Sequence, residues 1–342
     1  MAFNGKQIPR DRPTFFGLRY ALPMNKKPLI YVDGQEGTTG LKIHSMLEAR
    51  ADLEVLRVDP EKRKDTRERS LLLNEADISF LCLPDAAARE AVGLIQNPRA
   101  KLIDASTAHR TEPSWVYGLP ELTQGHRSTI GRSKRVSNPG CHATAFVLLV
   151  RPLIDSGFLP PSVVLAATSI TGYSGGGKKM IEVYEAGGDP SLHAPRPYAL
   201  GLCHKHLPEM TLYSRLTAAP IFVPIVGPFL RGLTVSIPLD LERLRSGISG
   251  AHLHTCLSTR YEREPFVRVM HLDDPDNLTQ GFFDTQRCNE TNRTDIFVFS
   301  NERQAVLMAC LDNLGKGAAG AAIQNMNLML GYDESRGLAT AG

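Results

Sequence analysis

Residues 29–40, LIYVDGQEGTTG, decide the fold class. Leu29–Asp33 is an apolar run with the length of a buried strand, and it leads directly into glycines at Gly34, Gly37 and Gly40. The spacing Gly-x-x-Gly-x-x-Gly is one residue longer in its first gap than the common dinucleotide-binding fingerprint. Glycines at such a junction permit a tight turn, close approach to a pyrophosphate, and close packing of a helix on the strand. Alone, the pattern also suits a plain strand–helix turn.

The segments that follow alternate between strand and helix patterns, which favours the nucleotide-binding interpretation. Strand patterns cover Leu53–Val58, Asp77–Leu83 and Lys101–Ser106, and helical patterns cover Arg67–Glu75 and Ala86–Gln96. Alternation of this kind predicts an α/β fold with a doubly wound parallel sheet of the Rossmann type.

After Cys141 the pattern changes to short strands without intervening helices. These candidate strands are Val163–Ile170, Ile221–Val226, Leu233–Pro238, Phe266–Met270 and Asp295–Ser300. Such a series predicts a second, α+β domain with a mostly antiparallel sheet. We therefore expect a first domain over residues 28–140 and a second over residues 141–311.

Residues 1–27 do not match the pattern of a folded domain. They carry scattered basic residues, three prolines and no steady hydrophobic period. We expect this extension to be disordered. A basic, acid-poor segment suits a transit peptide, but a start codon placed upstream of Met24 explains the same residues, and we prefer that interpretation.

The composition is that of an ordinary globular chain, with 42% hydrophobic and 22% charged residues among 342. A net charge of +3 is too small to indicate nucleic acid or an anionic membrane as a partner. No apolar run approaches the roughly 20 residues of a membrane-spanning helix. The six cysteines show no close pairing, which favours a reducing cytoplasm over a disulfide framework or a zinc site.

Selection between NAD and NADP depends on the end of the second predicted strand. Asp59 lies nineteen positions after Gly40, where a carboxylate would bind the ribose 2′-hydroxyl of NAD. Lys62, Arg63 and Lys64 follow directly and could instead hold the 2′-phosphate of NADP. A solvated basic helix start explains each of them singly, so these residues favour NADP only modestly.

The reactive centre is predicted at residues 138–144, NPGCHAT. Pro139 and Gly140 separate a strand-like run from an apolar run that suits a helix, so Cys141 lies at or near a helix N-terminus. The free N–H groups and the helix dipole there favour a negative charge and would lower the pKa of the thiol. A buried small hydrophobic residue is the alternative for a single cysteine. The turn and the helix start favour a nucleophile.

Other polar residues are candidates for the same site. Arg110 follows a strand at the carboxyl edge of the sheet, where a guanidinium can hold a phosphate or carboxylate, although a surface arginine explains it equally. His204, His206 and Glu209 could bind zinc, but no further cluster completes a tetrahedral set, so we expect no metal. We interpret them as an acid–base histidine beside a substrate-binding histidine and carboxylate. The glycines at 175–177 suit close approach to a ligand, or a flexible hairpin.

Six motifs occur in an order that resembles the shorter type of the N-acetyl-γ-glutamyl-phosphate reductase family, a relative of the aspartate-semialdehyde and glyceraldehyde-3-phosphate dehydrogenases. They are Gly34–Gly40, Asp104–Arg110, Asn138–Thr144, Gly172–Lys178, His204–Glu209 and Asp312–Ala318. The resemblance covers the chain from about Pro28 to the C-terminus. It implies a Rossmann domain completed by residues 312–342, with a helix over about Lys316–Leu330, and a catalytic domain inserted into it. It also implies a homo-oligomer, a dimer or a tetramer.

The resemblance further implies the reaction and the roles of the residues. The reaction would be NADPH-dependent reduction of N-acetyl-γ-glutamyl phosphate to N-acetylglutamate 5-semialdehyde and phosphate through a cysteine thioester, in arginine biosynthesis in the cytoplasm. Cys141 would be the nucleophile and His204 the acid–base group, while Arg110, His206 and Glu209 would hold the substrate. The residues expected to bind NADP are Gly34, Gly37, Thr38, Thr39, Gly40, Lys62, Arg63, Ser174, Gly175 and Asn313.

Three other functions compete with this one. Aspartate-semialdehyde dehydrogenase performs the same chemistry on a shorter substrate, and Pro139 with Gly140 before the cysteine argues against it. A reductase for the carrier-linked aminoadipyl phosphate of lysine biosynthesis shares the Asn-Pro-Gly-Cys motif and is harder to exclude. A non-catalytic nucleotide-sensing regulator would have no need of the Cys141 thiol.

Overall fold

A six-stranded parallel sheet forms the first part of the molecule in the computed structural model, which describes residues 26–34, 37–244 and 247–339. Its strands are β1 (Leu29–Asp33), β2 (Glu54–Leu56), β3 (Ile78–Leu81), β4 (Lys101–Asp104), β5 (Val116–Tyr117) and β6 (Arg135–Ser137). They lie in the order β2-β1-β3-β4-β6-β5, and every pairing is parallel. The predicted Rossmann-type sheet is confirmed, although the second strand has three residues where six were expected. The expectations for residues 1–25, including Met24, lie outside the described residues.

Helices cover both faces of this sheet. They are α1 (Thr38–Glu48), α2 (Thr66–Glu75), α3 (Asp85–Gly93) and α4 (His126–Arg132). Ile30 and Val32 of β1 point into one core with α1 and α4, while Tyr31, between them, points into the other core with α2 and α3. Apolar side chains on both faces of one strand are what a doubly wound sheet requires.

The second part of the chain forms a seven-stranded mixed sheet. Its elements are α5 (Cys141–Asp155), β7 (Ala166–Gly172), α6 (Lys178–Ala186), β8 (Arg196–Pro197), α7 (Leu207–Ser214), β9 (Ile221–Gly227), β10 (Leu233–Asp240), α8 (Gly250–Tyr261), β11 (Val267–Val269), β12 (Thr294–Ser300) and β13 (Gln304–Leu311). The strand order is β11-β12-β13-β10-β7-β9-β8, and four of the six pairings are antiparallel. The interior strand β13 was not among the predicted strands, because its Ala, Leu and Met content suits a helix equally well.

Helix α5 joins the two parts. It begins shortly after β6, and residues 142–150 are all buried. Ala143 and residues 145–150 lie in the largest hydrophobic core, against the second sheet and α7 and α8. This burial fixes the position of its first residue, Cys141, at the carboxyl edge of the parallel sheet.

The chain then returns to the first sheet. After β13 it makes a π-helical turn, Gly315–Ala319, and continues as α9 (Gly320–Leu330). Ala319, Ala322, Ile323 and Met326 lie in the same core as β1 and α1. A turn of this kind often marks a functional site. Among the described residues, no helix is both long enough and apolar enough to cross a membrane.

Candidate active site

A cavity of about 670 Å³ opens at the carboxyl edge of the parallel sheet, where elements of both sheets meet. Its lining comes from the start of α1, the loop between β6 and α5, residues 171–177 at the end of β7, and the π-helical turn. This volume lies in the range of small-molecule sites. Eleven residues predicted for the site line the cavity, namely Gly37, Thr38, Thr39, Gly40, Arg110, Cys141, Ser174, Gly175, His204, His206 and Asn313.

The surroundings of Cys141 depend on two glycines. Gly140 is the N-cap residue of α5, and a Cβ atom there would lie 2.5 Å from Nη1 of Arg110 and from the ring of His206. Only glycine therefore lets these two groups come so close to the backbone before the thiol. A Cβ atom at Gly317 would lie 2.7 Å from Cβ of Cys141, so the π-helical turn packs directly on the cysteine.

Two imidazole rings lie next to the thiol. One ligand atom from each of Cys141, His142 and His206 lies within 4.8 Å of the other two. His204, predicted as the acid–base group, lies beside this trio with its ring centroid 4.8 Å from that of His206. The main-chain N–H of His206 donates to Nδ1 of His204 over 3.2 Å. A thiol and two imidazoles are also zinc ligands, so the expectation of a metal-free site stays a prediction.

These histidines are neutral at physiological pH. Burial lowers the pKa of His204 to about 4, with help from the nearby charge of Lys205. Burial also holds the pKa of His206 well below its usual value, and the positive charge of Arg110 adds to the effect. A neutral imidazole has one nitrogen lone pair that can accept a proton. In His204 that lone pair is engaged by the main-chain N–H of His206, so His206 is the ring that can accept the proton of the thiol.

The pKa of Cys141 differs from the sequence prediction. Burial raises it to about 11, while the main-chain N–H of His142 and the charges of Arg110 and Lys205 act in the opposite direction. The predicted effect of the helix N-terminus is therefore present, but desolvation outweighs it. The prediction of a lowered pKa was wrong, because the sequence does not reveal how distant parts of the chain, such as the π-helical turn at Gly317, pack on the cysteine.

Arg110 and Glu209 form a buried ion pair behind the reactive centre. Nη1 of Arg110 donates to Glu209 Oε1 over 2.6 Å, and Nε donates to the carbonyl oxygen of Asn138 over 3.0 Å. The other oxygen of Glu209 accepts from the Tyr117 hydroxyl at 2.7 Å and from the Gly140 N–H at 3.1 Å. Glu209 does not line the cavity. Its carboxylate is committed to holding Arg110 and the loop before Cys141.

His142 and Tyr198 belong to the site but were not predicted. Nδ1 of His142 lies 2.8 Å from Ser169 Oγ, and Nε2 lies 3.1 Å from the hydroxyl of Tyr198. Burial lowers the pKa of His142 to about 3. Burial also raises the pKa of Tyr198, and a negative charge on Cys141 would raise it further. The signal for His142 was its place directly after the cysteine. Tyr198 had no comparable signal. It reaches the cavity through the pairing of β8 with β9, a contact between distant parts of the chain that leaves no local sequence pattern.

Two cations in the cavity were also missed. Lys205 and Arg196 both line it. Lys205 stands between the two histidines of the His-x-His motif, and that position could have identified it. Arg196 lies on β8, a strand of two residues that is too short to be recognised from sequence.

The residues predicted for the cofactor surround the start of α1. Gly34 has φ +87°, and a Cβ atom there would lie 2.3 Å from the carbonyl oxygen of Cys82, so the turn after β1 requires glycine. Oγ1 of Thr38, in the first turn of α1, is buried and has no hydrogen-bond partner among the described residues. An unpartnered hydroxyl beside the free N–H groups of a helix start fits a pyrophosphate. Across the cavity, Asn313 Nδ2 donates to Ser174 Oγ over 2.9 Å.

The basic residues predicted to select NADP lie elsewhere. Lys62 and Arg63 are exposed in the turn after β2 and do not line the cavity. Asp59, the competing acidic residue, is also exposed and accepts from the N–H of Glu61 over 3.0 Å. The described part of the chain therefore leaves their role in cofactor choice a prediction.

Two family models match the chain in the order of its two sheets. Residues 29–130 match the NAD-binding domain of the semialdehyde dehydrogenases, and residues 141–313 match the dimerisation domain of the semialdehyde dehydrogenases.

Solved structures of similar fold are aspartate-semialdehyde dehydrogenases. One is the enzyme II of Vibrio cholerae complexed with ASA, with a TM-score of 0.66 at 13% identity, covering 89% of this chain and 98% of that one. Another is the Candida albicans enzyme with NADP, with a TM-score of 0.60 at 15% identity and the same two coverages. At such identities the likeness shows the fold alone.

Curated relatives are much more similar in sequence. The chain is 47% identical over 320 residues to the N-acetyl-gamma-glutamyl-phosphate reductase of Trichormus variabilis, covering 91% of this chain and 99% of that protein. It is 45% identical to the reductase of the same name from Burkholderia lata, covering 89% and 97%. The resemblance drawn from the six motifs is confirmed, and the chain belongs to the N-acetyl-γ-glutamyl-phosphate reductase family.

Proposed function

We propose that the chain catalyses the NADPH-dependent reduction of N-acetyl-γ-glutamyl phosphate to N-acetylglutamate 5-semialdehyde and phosphate, in cytoplasmic arginine biosynthesis. The observation that carries this proposal is the arrangement of Cys141 at the start of α5, with His206 beside it and the Arg110 guanidinium behind it. The names of the relatives agree with the substrate.

The first step is acylation of the thiol. Because burial keeps Cys141 protonated, a neutral imidazole must take its proton as Sγ attacks the acyl carbonyl. His206 is the best placed, since it belongs to the trio within 4.8 Å. In His142, the other imidazole of the trio, the two ring nitrogens are engaged by Ser169 and Tyr198. The new S–C bond forms as the C–O bond to phosphate breaks, and the phosphate leaves toward Arg110 and Lys205. The product of this step is a thioester on Cys141.

The second step needs a hydride and a proton. When bound, the nicotinamide cofactor supplies the hydride that reduces the thioester to a thiohemiacetal. The cofactor would be held by Thr38 and the N–H groups at the start of α1, and by the Ser174–Asn313 pair. The chain's own task is to hold the proton as the thiohemiacetal collapses to aldehyde and thiol. His204 keeps its predicted role as a second candidate for this task. Because Nδ1 of its neutral ring accepts from the His206 N–H, the ring proton is on Nε2, which can donate to the oxygen that gains negative charge.

The preference for NADP over NAD is proposed on charge alone. Lys62 and Arg63 lie in the turn after β2, where the ribose 2′ position is bound in folds of this kind. Their positive charges favour a 2′-phosphate, and Asp59 opposes it.

We also propose that the chain is a homo-oligomer formed through the open face of the second sheet. On that face of β7 and β9, Ile221 lies opposite Ala166 and Ile225 lies opposite Ile170. Ile170 and Ile221 are 39% and 51% exposed, and Val164, just before β7, is 77% exposed. Side chains of this kind in a contiguous group favour a protein partner. The match to a dimerisation domain over residues 141–313 supports a second copy of the chain.

One assay tests the proposed reaction. The protein is given NADP⁺, phosphate and either N-acetylglutamate semialdehyde or aspartate semialdehyde, and the appearance of NADPH is followed. We expect phosphate-dependent turnover with the first substrate and little with the second. Faster turnover of aspartate semialdehyde, or a rate that does not depend on phosphate, would contradict the proposal. Cys141→Ser supplies the background rate.

A further inference from the structure

The substrate named above carries two anionic groups, and the inference below rests on that proposed function. The phosphate is bonded to the carbonyl that Cys141 attacks, whereas the α-carboxylate lies several bonds away at the other end of the molecule. A site for this substrate therefore needs one cationic region at the thiol and a second one farther from it.

The first cationic region is formed by Arg110 and Lys205. Both residues line the cavity together with Cys141, and Nη1 of Arg110 lies against Gly140, the residue before the cysteine. Both charges also oppose the rise that burial causes in the pKa of Cys141. Arg110 is already engaged on three sides, by Glu209, by the carbonyl oxygen of Asn138, and by that of Ala105 at 3.3 Å. Its position is fixed beside the departing phosphate, and Lys205 adds a second positive charge on the exposed side.

Arg196 is the remaining cation of the cavity and has no such commitments. It lies on β8 two residues before Tyr198, so their side chains project from the same side of the chain. Tyr198 reaches the cavity and contacts His142, which places Arg196 along the same wall. Among the residues that the structure describes, no carboxylate lies within 4.0 Å of its guanidinium. The charge of Arg196 helps to lower the pKa of the exposed Asp189, but that carboxylate accepts from the N–H of Ser191 and does not pair with the guanidinium.

The guanidinium of Arg196 is nevertheless held in place. Nη2 donates to the Tyr184 hydroxyl over 2.8 Å, and Cζ lies 5.3 Å from the centre of the same ring. That ring stacks on Tyr173, with 4.5 Å between centroids and 10° between planes. Nε of Arg196 is buried without a hydrogen-bond partner in the described part of the chain. A fixed cation with a buried donor left over is what a carboxylate-binding fork requires.

We propose that Arg196 binds the α-carboxylate of the substrate and so determines that the enzyme acts on an amino-acid-derived acyl phosphate. Arg110 and Lys205 bind the phosphate, and Cys141 attacks the carbonyl between the two anionic ends. The Tyr173–Tyr184 stack sets the distance of Arg196 from the thiol, and with it the length of the substrate that fits.

The test pairs variants with substrates in the aldehyde-oxidising direction. The variants are Arg196→Gln and Arg196→Lys, with Arg243→Gln as a control that removes an exposed surface charge. The substrates are N-acetylglutamate semialdehyde and 4-acetamidobutanal, which is the same molecule without its carboxylate. Because a charge-assisted hydrogen bond to a fork contributes roughly 1.5–3 kcal/mol, Arg196→Gln should raise KM for the first substrate roughly tenfold to a hundredfold. Its kcat/KM for the second should stay within about twofold of the unsubstituted value.

Three further results decide the matter. The KM for phosphate should be unchanged in Arg196→Gln and raised in Lys205→Gln. Arg196→Lys keeps the charge without the fork and should show an intermediate KM, even if Arg196→Gln proves too unstable to assay. Equal losses on both aldehydes, or a raised KM for phosphate in Arg196→Gln, would overturn the proposal while leaving the reaction intact. If the unsubstituted chain fails to oxidise N-acetylglutamate semialdehyde, the proposed function itself is wrong and the assignment of Arg196 falls with it.

Discussion

The charged residues in the floor of the active site are buried, whereas those in the basic turn after β2 are exposed to solvent. We define the floor as Arg110, Gly140, Cys141, His206 and Glu209, and the basic turn as residues 59–64. In the floor, Arg110 is 8% and Glu209 1% exposed, and both oxygens of Glu209 accept hydrogen bonds within the fold. In the basic turn every residue is exposed.

This difference in burial predicts that the floor contributes to the chemical steps and that the basic turn contributes to the choice of cofactor. Donors that are fixed in a dry site before the substrate arrives act strongly on developing charge, since nothing has to reorganise. Exposed charges are screened by water and salt, and each contributes little. Changes in the floor should therefore cost orders of magnitude, and changes in the turn only small factors.

The largest effect expected from a change of an imidazole is in His206→Asn. Loss of the ring that takes the thiol proton should lower kcat by roughly 10²–10⁴, whereas His204→Asn should cost less because His204 lies outside the trio with Cys141. Steady-state kcat with N-acetylglutamate semialdehyde checks this. His193→Asn, at an exposed position, is the matched control. A larger loss in His204→Asn would return the acid–base role to His204, as the sequence predicts.

Glu209→Gln should reduce both activity and stability. The change leaves the Arg110 guanidinium buried without a counter-charge, and breaking such a pair costs roughly 3–5 kcal/mol. A shifted Arg110 should also lower kcat/KM by roughly 10². Thermal unfolding and kinetics measure the two effects, with Glu48→Gln as an exposed control. If the melting temperature and kcat/KM stay unchanged, Arg110 does not depend on Glu209 for its position.

The reactivity of Cys141 should depend on pH in a way that reflects burial. With a pKa of about 11, against roughly 8.5 for free cysteine, the thiolate fraction at pH 7 is roughly 300-fold below that of free cysteine. A raised pKa means that the neutral thiol persists to higher pH. Alkylation of Cys141 by iodoacetamide should therefore be slow at pH 7 and still rising at pH 10, where free cysteine has reached its plateau. Peptide mass spectrometry follows the reaction, with the exposed Cys203 as an internal reference.

A plateau in Cys141 alkylation near pH 7 would contradict this account. It would mean that the helix N-terminus and the cations outweigh burial, and that the thiol is ionised before the substrate binds.

The smallest effects are expected in the basic turn. Lys62→Gln should lower kcat/KM for NADPH by roughly two- to fivefold and leave that for NADH unchanged, since an exposed pair contributes roughly 0.2–1 kcal/mol. Asp59→Asn should raise kcat/KM for NADPH, because it removes the negative charge that opposes the 2′-phosphate. Arg99→Gln, exposed before the first residue of β4, is the control for charge alone. A preference for NADH in the unsubstituted protein would show that Asp59, and not the basic residues, faces the ribose.

The sequence predicted the features that depend on local pattern. The alternation of strands and helices predicted the parallel sheet, and Pro139-Gly140-Cys141 predicted the helix start at Cys141, because turns and helix starts have local signatures. It could not predict Arg196 or Tyr198, which reach the cavity only through the pairing of β8 with β9. The predicted lowering of the pKa of Cys141 was wrong for the same reason. Gly317, which packs on the cysteine, comes from a distant part of the chain.

The proposed mechanism depends on covalent catalysis at Cys141, which rapid-quench mass spectrometry of the Cys141 peptide can detect. The protein is mixed with freshly prepared N-acetyl-γ-glutamyl phosphate in the absence of a reduced cofactor and quenched in acid. We expect the mass of one N-acetylglutamyl group on Cys141, removable by hydroxylamine as a thioester is, and no such addition in Cys141→Ser. An enzyme that turns over at full rate but never carries this group, or carries it on another cysteine, would contradict the mechanism.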